Sequence, residues 1–305
     1  MLLRLKPHHM RDIKMLAIAS VVGSILIAIH AKELWEVLAR EKVFLRQQND
    51  LISAMPLDGD RRQSLEAIWA QQPQTIKSLT AQKPTVVAAG ASYLLIGDSM
   101  MQDGIGSELE NSLLSNKVSA VYRKAVQSTG LLHPERLNWY AEVDRLLSQR
   151  KYDVVIIMVG LNDADHMTDS RGVYQMFGTN KWRVAYAQKV EQMLDQLLVK
   201  NKVKKVVWVG LPVAPDKFWD NNVRVLNDVY KTVVSRYVNA IFVDTYDRFK
   251  VNGKWSAVVK DNRGNARTAR QEDGLHMTIH GGRIMADLIL DTMQKHNIQL
   301  TANPK

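Results

Sequence analysis

YDVVIIMVG, from Tyr152 to Gly160, decides the fold, because apolar and β-branched residues follow one another there almost without interruption. Such a run is typical of a strand in a parallel sheet that is covered on both faces. Other apolar runs alternate with helical segments along the chain, which predicts a three-layer α/β/α sandwich around a central, mainly parallel five-stranded sheet. The predicted strands are 92–97, 119–126, 152–160, 204–212 and 240–246, and the predicted helices are 108–114, 134–149, 181–200, 220–237 and one after Thr278.

One segment departs from this alternation. FKVNGKWSAVV, residues 249–259, carries Asn252-Gly253 between two apolar runs. That dipeptide is a strong signal for a two-residue hairpin turn. We predict a hairpin that lies near the last catalytic loop and helps to shape a substrate cleft.

Composition limits the chemistry. The 305-residue chain has no cysteine, which excludes disulfides, thiolate metal sites and a cysteine nucleophile. Its formal net charge is +10, but the basic residues are scattered except around 200–205. That lysine cluster lies where a helix should end and where cations are favourable. A nucleic-acid or anionic-glycan patch is the alternative for it, and we predict no nucleic-acid partner.

The N-terminus suggests export. Basic residues precede an uncharged apolar run, residues 15–29, in the pattern of a signal peptide or signal anchor. Extension through Ala31 gives a feasible membrane span, and we predict an uncleaved anchor at 15–31. A cleaved signal and a buried soluble helix are the alternatives. The predicted organisation is a cytoplasmic tail and anchor at 1–31, a juxtamembrane helix and linker at 32–90, and a catalytic domain at 91–305.

Three short motifs carry the chemistry: IGDSM at 96–100, GLND at 160–163 and DGLH at 273–276. A serine hydroxyl becomes nucleophilic when a base accepts its proton and a carboxylate orients that base. Ser99 is the candidate nucleophile, His276 the base and Asp273 the orienting carboxylate. Ser99 and Asn162 fall just past predicted strand ends, where ligands gather in parallel sheets.

The negative oxygen of a tetrahedral intermediate needs preorganised N–H donors. Asn162 can offer its side-chain amide and Ser99 its backbone N–H. Gly130, in the AVQSTG segment after the second strand, is a further candidate donor. We predict an oxyanion hole formed by Ser99, Gly130 and Asn162.

These motifs resemble those of the SGNH (GDSL-type) hydrolase superfamily, which is named for its Ser, Gly, Asn and His. Ser99 matches the nucleophile motif, with Met100 where leucine is usual, and Gly130 matches the second motif. Asn162 matches the third, and Asp273 with His276 match the last. The resemblance covers about 91–296 and implies an SGNH/flavodoxin-like sheet. RTARQEDGLHMT at 267–278 is similar to a membrane-anchored bacterial subgroup with many uncharacterised members.

Further residues are candidates for substrate binding: Asp163, His166, Trp182 and Arg270. The aromatic side chains could stack on sugar rings or simply cover the sheet. Arg270 could bind an anionic group or pair with an acid. A metal site at Asp163 and His166 is not expected, because no metalloprotease pattern is present and SGNH chemistry uses no metal. We predict no metal and no cofactor.

The resemblance implies a serine esterase or O-acyltransferase that works through an acyl-enzyme on Ser99. We expect its substrates to be O-acetyl or other acyl esters, typically of cell-envelope carbohydrate, and its location to be the outer face of the bacterial inner membrane. A membrane-bound O-acyltransferase is a candidate partner. The alternative is a non-catalytic scaffold of such a complex, and the choice between hydrolysis and acyl transfer stays open.

Overall fold

The computed structural model describes residues 83–102 and 104–300. Within them, five parallel strands form one sheet in the order β2-β1-β3-β4-β5. The central strands are buried throughout because helices cover both faces, as the apolar runs predicted. The strands are β1 (Ser92–Gly97), β2 (Ala120–Ala125), β3 (Val154–Met158), β4 (Lys205–Val209) and β5 (Ala240–Val243).

Six helices in the described residues flank this sheet. The chain moves outward from β1 to β2 and then reverses to β3, β4 and β5, so right-handed crossovers place helices on opposite faces. The second and last helices pack against each other, and so do the fourth and fifth. The helices are α1 (Ser99–Gln102), α2 (Gly104–Ser115), α3 (Trp139–Gln149), α4 (Asn180–Asp195), α5 (Lys217–Val234) and α6 (Ile279–Lys295).

The predicted α/β/α sandwich is confirmed, but several helix boundaries differ by three to five residues, most of all the start of α3. The helix predicted at 134–149 begins at Trp139, because the Asn138 side chain accepts hydrogen bonds from the backbone N–H groups of Tyr140 and Ala141. Residues after Pro134 instead form turns. The helix predicted at 181–200 is α4, which continues into a π-helical turn at Gln196–Lys200.

Between residues 104 and 300, three short antiparallel hairpins are added to the sandwich. One pairs Met167–Thr168 with Tyr174–Gln175, and another pairs Val258–Lys260 with Ala266–Thr268. The hairpin predicted at Asn252-Gly253 is present, with Lys250–Val251 paired to Lys254–Trp255. Both turn residues have positive φ, 52° and 76°, as the turn requires.

The membrane anchor predicted at 15–31 and the helix predicted from residue 32 lie outside the described residues. Within the part of the chain that is described, none of the helices has the length and apolarity of a membrane span.

Candidate active site

The three motifs meet at the carboxyl edge of the sheet. Ser99 begins α1 directly after β1, and Asn162 lies in a 3₁₀ turn, Leu161–Asp163, directly after β3. A Cβ at Gly97 would overlap the Met158 carbonyl oxygen and the Met101 side chain. Glycine therefore lets the start of α1 lie close against β3.

The structure joins Ser99, His276 and Asp273 by two hydrogen bonds. Ser99 Oγ lies 2.8 Å from His276 Nε2, and His276 Nδ1 lies 2.5 Å from Asp273 Oδ2. With Nδ1–H donating to the carboxylate, Nε2 is free to accept the serine proton. This is the geometry of an activated nucleophile.

The Asp273 carboxylate is held in its ionised form. Partial burial favours the neutral acid, but hydrogen bonds from the His276 ring and from the backbone N–H groups of Leu275 and His276 outweigh it. These bonds hold the pKa of Asp273 below its usual value. An ionised partner keeps the imidazole oriented and stabilises the imidazolium that forms during the reaction.

The backbone conformation of the DGLH segment brings the Asp273 carboxylate to the ring of His276. Arg270 and Met277 pair as an antiparallel bridge, and Gln271 N–H donates to the His276 carbonyl. Gly274 N–H then closes a turn onto the Gln271 carbonyl, with φ of 73° at Gly274. Glycine adopts this left-handed conformation without a steric cost. The loop therefore folds its Asp273 back onto His276.

Asn162 lies beside the nucleophile, with its amide already engaged. Its Nδ2 donates to the Thr129 carbonyl at 3.0 Å and to Asp98 Oδ2 at 3.3 Å. Gly160, with φ of 134°, starts the 3₁₀ turn, and a Cβ there would overlap the Tyr230 hydroxyl. A side chain at Gly160 would therefore displace the turn that carries Asn162.

Asp163 is fully buried, so its predicted role in substrate binding is wrong. Its carboxylate accepts hydrogen bonds from the backbone N–H groups of Leu131 and Leu132 and from the Tyr186 hydroxyl, at 2.6–2.9 Å. A Cβ at Gly130 would overlap that carboxylate. Asp163 therefore connects the turn after β3 to the loop after β2 by hydrogen bonds. Residue 130 must be glycine, because a side chain there would occupy the position of the Asp163 carboxylate.

Asp98 is a site residue that the motif did not single out. Its carboxylate is 1% exposed and accepts the backbone N–H groups of Met100 at 2.9 Å and Gly160 at 3.1 Å. Burial raises its pKa to about 6, although these two hydrogen bonds act in the opposite direction. Because the same carboxylate also receives the Asn162 amide, Asp98 connects the nucleophile turn to the Asn162 turn.

His133 is a second residue that the sequence did not indicate. Its Nε2 lies 2.9 Å from the Asn162 backbone carbonyl, to which it donates, and its Nδ1 lies 3.2 Å from Glu135 Oε1. His133 therefore fixes the backbone of Asn162 from the side of the loop after β2.

The other predicted binding residues differ in their exposure. Trp182 is fully buried, stacks on Tyr186 and donates to the Asp165 carbonyl, so it cannot stack on a sugar. Arg270 is 2% exposed and donates to two backbone carbonyls, which leaves it no access to an anionic substrate. For Trp182 the structure favours the alternative that it covers the sheet, whereas Arg270 bonds to backbone carbonyls, which neither alternative for it had named. His166 is partly exposed and accepts the Phe177 backbone N–H.

An open cavity adjoins the nucleophile helix at the edge strand β2. It has a volume of about 370 Å³ and is lined by two charged and two neutral polar side chains beside two apolar ones. Gln102, the last residue of α1, contributes to it. The lining residues are Gln102, Glu110, Val121, Tyr122, Arg123 and Ala125.

A family model described as "Protein of unknown function (DUF459)" matches residues 92–292. Among solved structures, the chain is similar to a psychrotrophic esterase from Pseudoalteromonas at 13% identity and a TM-score of 0.44, covering 67% of this chain and 97% of that one. It is also similar to a lipolytic G-D-S-L family protein from Veillonella parvula at 13% identity and a TM-score of 0.46, covering 67% and 98%. No curated protein sequence matches the chain significantly.

Together with the family match, the motifs assembled at one sheet edge confirm the predicted SGNH resemblance.

Proposed function

Because the chain belongs to the family described as "Protein of unknown function (DUF459)", we propose its function from its own site: a serine esterase or O-acyltransferase. The observation that carries this proposal is the continuous chain of hydrogen bonds from Ser99 Oγ through His276 to Asp273. A buried structural serine does not need a histidine that is itself oriented by an ionised acid. The arrangement instead suits attack on an acyl carbonyl.

In the proposed acylation step, Ser99 Oγ bonds to the ester carbonyl carbon while its proton passes to His276 Nε2. The tetrahedral intermediate then collapses, the bond to the leaving alcohol breaks, and the proton moves from Nε2 to the alcohol oxygen. In the second step, water or an acceptor hydroxyl gives its proton to Nε2 and attacks the acyl carbon. The bond from the acyl carbon to Ser99 Oγ then breaks, and Oγ takes the proton from Nε2. Asp273 remains ionised throughout.

The oxyanion is proposed to bind the Asn162 amide with the backbone N–H groups of Ser99 and Gly130. Both hydrogens of Asn162 Nδ2 have acceptors in the resting site, so one bond must be exchanged for the substrate oxygen. The contact with Asp98, at 3.3 Å, is the longer of the two and is the one we expect to yield. A correctly placed donor of this kind lowers the barrier by about 3 kcal/mol.

We further propose that the acyl group comes from an O-acylated carbohydrate of the cell envelope. The apolar run after basic residues supports export and anchoring through 15–31.

The cavity beside α1 supports a polar ligand, because Gln102 and the ion pair between Glu110 and Arg123 line it next to the Tyr122 ring. A membrane-bound O-acyltransferase is the proposed partner.

The first test uses Ser99→Ala and His276→Ala. We expect p-nitrophenyl acetate turnover to fall by at least about 10³-fold in both, because each removes a member of one catalytic unit. Fluorophosphonate labelling, followed by mass spectrometry of the labelled peptide, is expected at Ser99 in the wild type alone. Ser115→Ala and His296→Ala, at exposed positions, are the matched controls. Full activity in either triad variant would point to a non-catalytic scaffold.

A second experiment separates hydrolysis from transfer. The fragment 55–305 is incubated with an acetyl donor, with and without an oligosaccharide acceptor. Acetylated oligosaccharide detected by mass spectrometry would establish transfer, whereas release of acetate at a rate independent of the acceptor would establish hydrolysis.

A further inference from the structure

Arg270 lies beneath the catalytic loop and connects it to the loop after β4. Its Nη1 donates to the Leu275 carbonyl and its Nη2 to the Val213 carbonyl, each at 2.8 Å. Its guanidinium also lies over the Phe249 ring, 5.0 Å from the ring centroid. Since Leu275 directly precedes His276, one of these bonds holds the peptide that carries the general base.

The charge of Arg270 is unusual for its surroundings. The side chain is 2% exposed, and both of its hydrogen bonds go to neutral carbonyls. Among the described residues, no carboxylate lies within ion-pair distance of it, and its Nε has no hydrogen-bond partner. Burying an unpaired cation is costly, so stability alone is a poor reason for an arginine here.

The field of this cation reaches the triad. Burial lowers the pKa of Arg270 to about 10, and the negative charge of Asp273 acts in the opposite direction. By reciprocity, the guanidinium favours the ionised form of Asp273.

We propose that Arg270 is a positioning residue of the triad, which holds in place the Leu275 carbonyl and with it the loop that carries Asp273 and His276. The proposal rests on the proposed function, since it concerns how the same three side chains are held. It assigns Arg270 to the catalytic apparatus without any contact to the substrate.

Three variants of the full chain separate geometry from charge. Arg270→Met removes the charge and both hydrogen bonds, Arg270→Lys keeps the charge but cannot bridge the two carbonyls, and Arg267→Met removes an exposed charge three residues away. The kcat and KM for p-nitrophenyl acetate, measured separately, are the first readout. The backbone amide NMR signals of Leu275 and His276 are the second, and they do not require activity.

In both Arg270 variants, we expect the amide signals of Leu275 and His276 to shift, because the Leu275 carbonyl loses its guanidinium donor. In both, kcat is expected to fall on the order of tenfold with KM unchanged, because the base is less well positioned. Arg267→Met should match the wild type in both measurements.

Wild-type kcat in Arg270→Met, or an equal fall in Arg267→Met, would overturn the proposal. If Arg270→Met does not fold, Arg270→Lys decides, because wild-type kcat in that variant would show that the bridge is dispensable. If the proposed function fails, the wild type shows no turnover dependent on Ser99, while the amide signals of Leu275 and His276 still report the loss of the bridge.

Discussion

Two buried carboxylates organise the proposed oxyanion hole, and backbone N–H groups are prominent among their partners. Asp98 binds the N–H groups of Met100 and Gly160, and Asp163 binds those of Leu131 and Leu132. Burial raises the pKa of both acids, against the effect of these hydrogen bonds. The residues of the proposed oxyanion hole are thus positioned by Asp98 and Asp163, two acids that are themselves buried.

The pKa of Asp98 gives a prediction about stability. With a folded-state pKa of about 6 against an ordinary 3.8, the folded chain retains a proton that the unfolded chain has lost between these values. Stability from this group is therefore present at low pH and is lost as the pH rises toward 6. Relative to the wild type, Asp98→Asn should gain about 2 kcal/mol in unfolding free energy from pH 4 to pH 7.

Urea unfolding of the wild type and Asp98→Asn at several pH values measures this difference. Asp165→Asn, at an exposed position, is the control, and its difference from the wild type should remain constant. A constant difference for Asp98→Asn as well would mean that this carboxyl has no raised pKa in the folded state. We also expect Asp98→Asn to lose activity, because one amide oxygen cannot replace two carboxylate oxygens.

At the residue scale, the sequence predicted which types of side chain meet but not which of them are buried. Ser99, Asn162, Asp273 and His276 could be selected because their spacing matches a known set of motifs. Trp182 and Arg270 look the same in sequence whether they face a substrate or the core. Asp98 lay inside a selected motif, yet only its contacts with Gly160 and Asn162 reveal what it holds.

At the element scale, the hairpin at Lys250–Val251 and Lys254–Trp255 supports the catalytic loop. Trp255 Nε1 donates to the Gly274 carbonyl at 3.3 Å, from the outer side of the turn that carries Asp273. A Cβ at Gly274 would lie 3.0 Å from the Pro215 ring, so the loop after β4 packs against the same turn. Gly274 is therefore enclosed by two elements as well as being required for the turn.

Trp255→Phe tests this support. Phenylalanine keeps an aromatic ring but loses the hydrogen bond, so we expect kcat for p-nitrophenyl acetate to fall about two- to fivefold. The unfolding free energy should change by no more than about 1 kcal/mol, because the bond is partly exposed. Val251→Ala, an exposed change in the same hairpin, should leave both quantities unchanged. Wild-type kcat in Trp255→Phe would show that the hairpin does not position the loop.

Strands and helices were predicted well where a single hydrophobic pattern runs through the segment. The three central strands follow from apolar runs, because covered parallel strands have no polar face to obscure the pattern. The edge strand β2 is mixed in character and has no buried residue. The start of α3 was misjudged because Pro134 suits the first turn of a helix, whereas the actual cap, Asn138, is decided by its own side-chain hydrogen bonds. The hairpin at Met167–Thr168 is too short to leave a pattern in the sequence.

At the scale of the whole molecule, a close helix contact determines whether the triad can form. Ser99 and His276 are 177 residues apart, and each lies just before one of two helices that pack together, α2 and α6. A Cβ at Gly282 would overlap the Gly104 carbonyl oxygen, and a Cβ at Gly104 would lie 2.6 Å from the Thr278 carbonyl oxygen. The two backbones are therefore in direct contact beside the site.

Gly282→Ala is expected to be harmful for this reason. In an ordinary helix, alanine in place of glycine stabilises by up to about 1 kcal/mol. Here the added methyl group meets a backbone carbonyl that cannot rotate away, so we expect a loss of about 3 kcal/mol in unfolding free energy. Turnover per folded molecule should also fall, since a displaced α6 moves His276 away from Ser99.

Thermal unfolding and active-site titration with a fluorophosphonate measure these two effects in Gly282→Ala. Gln294→Ala, at an exposed position of the same helix, should behave like the wild type. If Gly282→Ala were as stable and as active as the wild type, α2 and α6 would not set the distance between nucleophile and base.

The order of the triad along the chain also has a consequence for biosynthesis. A ribosome completes Ser99 long before it reaches His276, and α6 is added later still. Throughout that interval the serine hydroxyl has no base, whatever fraction of the sheet has already formed. Ester chemistry would thus begin in one late step, when α6 docks onto α2. The growing polypeptide would leave acyl esters untouched in the compartment where it is made, and a chain interrupted before α6 would be inert.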